Sequence, residues 1–124
     1  MKEAALVALG GAVGSLLRWG LSGALQRAGG GTFPWGTFAV NAAGSLAVGF
    51  VATFALERAL VPPAMRVFLV PGLLGGFTTF SALSFEALAL LRDGQWPAAA
   101  GYALGSLAAG IAAAGAGAAL AARV

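Results

Sequence analysis

"GLLGGFTTFSALSFE", residues 72–86, lies inside the third long apolar run of the chain. Gly72, Gly75 and Gly76 are followed by Thr78, Thr79, Ser81 and Ser84, by the rings of Phe77, Phe80 and Phe85, and by the carboxylate of Glu86. Pro71, just upstream, removes a backbone donor, and the glycines weaken the helix around it. In hydrocarbon, non-helical backbone is tolerated only where protein or water covers it. A span used only as an anchor has no need of this mixture. The stretch therefore reads as a helix broken at about 75–79. Such a break frees carbonyls that can hold a cation and N–H groups that can face an anion.

The rest of the chain explains why hydrocarbon is the right reference. Of its 124 residues, 60% are hydrophobic and 9% charged, and the mean hydropathy is +0.91. A soluble domain carries about 25% charged residues, and a small one leaves much of its surface wet. Lipid must therefore solvate most of this chain. It has no cysteine and no histidine, which excludes disulfides, thiolate nucleophiles, imidazole bases and the commonest zinc ligands. With no nucleophile–base pair visible, no enzyme activity is expected. The 7 basic residues outnumber the 4 acidic ones, but they stand singly at span ends, where they meet headgroups. That scatter does not suit nucleic-acid binding.

Spans of about 20 helical residues are needed to cross the bilayer. The chain supplies them at 4–24, 37–56, 65–91 and 97–122, within a single domain covering 1–124. The first run follows Lys2 and is too long for a signal-peptide core, so it is read as a retained span. Arg27 and Gly29 to Gly31 close it; Pro62 and Pro63 separate the second and third spans; Arg92-Asp93-Gly94 turns into the fourth. Trp19, Trp35 and Trp96 lie near span ends, where amphipathic rings favour the interface. Small residues recur four apart, as Gly10/Gly14, Ser45/Gly49, Gly72/Gly76 and Gly101/Gly105, so that neighbouring helices can approach closely. The fold class is an all-α membrane protein of four helices. Lys2, Arg58, Arg66 and Arg123 collect on one side, against Arg27 and Arg92 with Arg18 near them. So weak a bias permits insertion both ways and an antiparallel homodimer.

Polar side chains inside spans are costly without a partner or a wet surface. Arg18 can snorkel, pair structurally or draw anions to a vestibule. Asn41 continues through Ser45 and Gly49 on one helix face; its amide offers two N–H donors and an acceptor, suited either to an interhelical bond or to an anion. Tyr102, Ser106 and Gly110 form a short hydroxyl stripe on the fourth span. A Phe80 ring presented edge-on favours a small anion.

These residues resemble a known family. "GGAVGSLLRW" (10–19), "GTFAVNAAGSLAVG" (36–49) and "GLLGGFTTFSALSFE" (72–86) are similar to motifs of the Fluc (CrcB) fluoride channels, and the resemblance covers nearly the whole chain. It implies a small, multi-pass protein of the bacterial inner membrane. It also implies a dual-topology antiparallel homodimer with two pores that exports fluoride passively from the cytoplasm. A structural Na+ at the dimer centre is implied, held by the carbonyls of Gly75 and Thr78. Along the fluoride path the resemblance places Asn41, Thr79, Phe80, Ser81, Leu83, Tyr102 and Ser106, with Arg18 and Glu86 in the vestibule. The chain departs from the family where Leu83 stands in place of a second phenylalanine, which removes one electropositive edge. The alternatives are a small proton-coupled multidrug exporter, for which only Glu86 could serve as the embedded carboxylate, and a non-conducting structural or heteromeric subunit.

Overall fold

The computed structural model describes residues 1–124, the side chain of Arg58 excepted. The charge assigned above to Arg58 therefore lies outside the described residues. The chain folds as α1 (Lys2–Gly29), α2 (Trp35–Arg58), α3 (63–77), α4 (Phe80–Arg92) and α5 (Trp96–Ala121). Helices α1, α2 and α5, and α3 with α4 as one broken unit, give four segments long and apolar enough to span a membrane.

Local chemistry sets the boundaries. After α1, Gly30 and Gly31 take positive φ, at 66° and 69°, a conformation that glycine adopts without steric cost. Gln26 ties the loop that follows: its amide donates to the Phe33 carbonyl at 3.0 Å and its oxygen accepts from Gly36 N–H at 3.2 Å. Pro62 is extended, and Pro63 opens α3 at a position that needs no donor. Pro71 falls inside the third span, where its ring would clash with the carbonyl four residues back. The chain accommodates it by winding Phe68–Leu74 as a π-helix, a wider turn found mostly in short stretches.

Helix α1 packs chiefly on α3, and α2 chiefly on α5. Both contacts bring backbone against backbone. A Cβ on Gly10 would lie 2.5 Å from the Phe68 carbonyl oxygen, and one on Gly76 would lie 2.6 Å from that of Gly11. Across the other contact, a Cβ on Gly117 would meet the Leu46 carbonyl and one on Gly49 that of Ala114. Gly101 and Gly105, with the same four-residue spacing, face nothing within 4 Å in the single chain. Helix α4 leans on α5, where Leu90, Ala99 and Tyr102 form a buried cluster flanked by Phe33, Phe38 and Leu83. Leu16 and Trp19 remain on the outside, as side chains facing lipid do.

Candidate functional site at the helix break

The third span breaks at two residues. Gly75 and Gly76 still lie in the last turn of α3. Thr78 (φ −89°, ψ 155°) and Thr79 (φ −149°, ψ 119°) are extended, and α4 restarts at Phe80. A helix end leaves orphan carbonyls and a helix start leaves orphan N–H groups. Here both occur within the span, and neighbouring helices bond some of them, the Gly76 carbonyl and both backbone groups of Thr79.

Asn41 on α2 bridges the break. Its Oδ1 accepts from Thr79 N–H at 2.8 Å, and its Nδ2 donates to the Thr79 carbonyl at 2.9 Å. The side-chain amide thus takes the place of a missing peptide neighbour. Thr79 also caps α4, its Oγ1 accepting from Ala82 N–H at 3.1 Å. On the other side, Arg18 of α1 donates from Nε to the Gly76 carbonyl at 3.1 Å, with Ser15 Oγ at 3.5 Å from the same oxygen. The Leu74 carbonyl accepts from both the N–H and the hydroxyl of Thr78, at 3.1 and 3.0 Å. Among the described residues no hydrogen bond reaches the carbonyls of Gly75 or Thr78. The Phe77 carbonyl is likewise without a partner, so the break offers three neutral oxygens, and such donors suit a hard cation.

A largely apolar groove of about 840 Å³ opens beside the break. It gathers Asn41, Gly75, Thr78, Thr79, Phe80, Leu83 and Ser106. Phe80 is 80% exposed, on the open side of the chain. The Ser106 hydroxyl is buried and has no hydrogen-bond partner among the described residues. A buried polar atom without a partner is uncommon and calls for an explanation. Ser81 is exposed outside the groove lining, its hydroxyl 3.4 Å from that of Thr79.

Glu86 and Tyr102 belong elsewhere. They meet at a second cavity, about 380 Å³, which Glu86 lines with Gln26, Thr37 and Asp93. Thr37 Oγ1 donates to one carboxylate oxygen at 2.8 Å, and the fully buried Tyr102 hydroxyl to the other at 2.7 Å. Both oxygens of the one carboxylate that an exporter could use are engaged. Arg18 does not line this cavity, so the two residues expected together in a vestibule are apart in the single chain. Sequence reasoning missed Thr37, Ser15 and Gln26. The signal for Thr37 was present: Thr37, Asn41 and Ser45 follow at four-residue steps on one face of α2.

Comparison with known proteins matches residues 5–118 to the family described as "CrcB-like protein, Camphor Resistance (CrcB)". The chain is 50% identical over 112 residues to a protein of Nitratidesulfovibrio vulgaris named "Fluoride-specific ion channel FluC", covering 90% of each chain. Proteins of the same name from two strains of Thermus thermophilus are 54% and 56% identical to it, over 86% and 82% of this chain and 85% and 80% of theirs. With four helices able to span a bilayer and a match over most of its length, this chain belongs to the CrcB/FluC fluoride-channel family, whose members are channels rather than enzymes, and it is a multi-pass protein of the bacterial inner membrane.

Proposed function

We propose that two copies of this chain, inserted in opposite orientations, form a homodimer with two pores that passes fluoride out of the cytoplasm down its gradient. The observation that carries this reading is the unpartnered Ser106 hydroxyl in the same groove as Asn41 and Phe80. Fluoride is small and strongly hydrated, so a wall that admits it must replace water hydrogen bonds. An amide nitrogen has two N–H groups; one on Asn41 is engaged by Thr79, and the other is assigned to the ion. Ser106 and Thr79 supply hydroxyls in the groove, whereas Ser81 lies outside its lining and the Tyr102 hydroxyl donates to Glu86. The Phe80 ring contributes its electropositive edge, and Leu83 lines the path without one. Glu86 is assigned to an approach.

The dimer reading is supported by the apolar surface around the groove. Leu104, Leu107 and Ile111 are 69%, 63% and 66% exposed beside Phe80. The weak charge bias between the two sides permits opposite insertion. A Na+ ion is assigned to the carbonyls of Gly75 and Thr78 from both copies, which fits their lack of protein partners. When bound, the ion supplies positive potential at the break.

Purified protein in liposomes, followed with a fluoride electrode, tests the proposal. Rapid fluoride efflux in Na+ buffer and slow efflux in N-methylglucamine buffer is the expected result. A dimer that releases no fluoride in Na+ contradicts the transport reading, and equal efflux in both buffers removes the cation.

A further inference from the structure

Arg18 occupies an unexpected position for a residue that serves a channel mouth. Its Nε–H points at the carbonyl of Gly76, at the carbonyl end of α3 and near the middle of the 30-residue third span. The end of a helix carries partial negative charge on its unsatisfied carbonyls, and a cation there is stabilising. Ser15, one turn earlier on α1, approaches the same oxygen at 3.5 Å. The helices can come this close because Gly11 and Gly76 have no side chains between them.

We infer that Arg18 is a positioning residue for the helix break: its Nε–H takes the Gly76 carbonyl out of the set of free oxygens and fixes the last turn of α3, so that the flanking Gly75 and Thr78 carbonyls keep the direction a cation needs. The break is then held from two sides. Asn41 fixes Thr79 on the far side, and Arg18 fixes Gly76 on the near side. Without the near clamp, the last turn of α3 is free to rotate, and the Gly76 carbonyl joins the free ones. The role depends on a donor at a given place, not on charge. This inference rests on the cation assignment made above, but its first readout does not.

Three variants separate donor from charge. In Arg18→Gln, the amide nitrogen stands the same number of bonds from Cα as Nε and can donate, without charge. In Arg18→Met, a methyl group stands at that place, with neither donor nor charge. In Arg18→Lys, the charge is kept but a methylene occupies the place of Nε. The first readout is the 13C carbonyl resonance of Gly76. It is isolated by labelling glycine with 13C and phenylalanine with 15N, because Gly49–Phe50 and Gly76–Phe77 are the only Gly-Phe pairs in the chain. Gly49 serves as the internal control. The expected result is a Gly76 signal unchanged in Arg18→Gln and moved upfield in Arg18→Met, with Gly49 still. The second readout is the Na+ concentration for half-maximal fluoride efflux. It is expected within about twofold of wild type for Arg18→Gln and raised about tenfold or more for Arg18→Met, the scale of one hydrogen bond to a charged group.

If Arg18→Met does not assemble, Arg18→Lys decides: Gln nearer to wild type than Lys supports the inference, and the reverse order overturns it in favour of charge. Gln and Met alike at Gly76 also overturn it. So does a Gly76 shift in Met with unchanged Na+ dependence, since the clamp then does not reach the cation. A wild type that releases no fluoride defeats the transport reading, while the Gly76 resonances still decide the clamp.

Discussion

The far half of α5 and the break in the third span are both rich in glycine, yet they use it differently. In the half of α5 that holds Gly117 and Ala121, small residues bury themselves against the backbone of α2, and no polar side chain is needed. At the break, Gly76 brings α1 close, and Arg18, Asn41 and Thr79 then bond the freed backbone groups. Glycine therefore marks proximity only where a neighbour fills the space, as at Gly76 and Gly117 but not at Gly101 in the single chain. What marks a site is a polar group that the packing has not satisfied.

The largest effects should come from closing that proximity. Gly117→Val and Gly76→Val each force a branched side chain into a neighbouring backbone, at about 3 kcal/mol or more. Both should lose assembled protein on size exclusion; normal assembly of either would deny that the backbones touch. Asn41→Asp sharpens the other half of the comparison. It replaces the Nδ2 donor with an oxygen beside the Thr79 carbonyl and sets a negative charge in the groove. Efflux should fall by about a hundredfold, since an unsatisfied carbonyl alone is worth about 1–3 kcal/mol. Unchanged efflux would remove Asn41 from the path. Thr79→Ala deletes the cap on α4 and should lower thermal stability by about 1 kcal/mol, with Thr79→Ser close to wild type. Gly101→Ala is the smallest: with nothing within 4 Å, it should stay within about 0.5 kcal/mol of wild type. A larger loss would mean that a second copy covers that face.

Much of this was legible in the sequence, because lipid makes polar residues expensive and therefore informative. Asn41, Arg18 and the hydroxyls from Thr78 to Ser84 stood out against their apolar surroundings. Pro71 announced a disturbance, but not that the chain would answer with π-helical winding through Phe68–Leu74. That outcome depends on which register lets Gly10 and Gly72 meet, a property of two helices and not of one. Partners were hidden for the same reason. Thr37 and Tyr102 are 49 and 16 residues from Glu86 in sequence, and Arg18 is 58 from Gly76. Spacing along one helix tells which residues share a face; it does not tell what the face meets.

The most direct test of the central claim is a paired efflux measurement, fluoride against chloride, from liposomes holding the wild-type chain in Na+ buffer. A wall of Asn41, Ser106 and hydroxyls that replaces the water around a small anion predicts fast fluoride release with chloride at the level of empty liposomes. Equal release of the two halides, or release of neither from assembled protein, would contradict it.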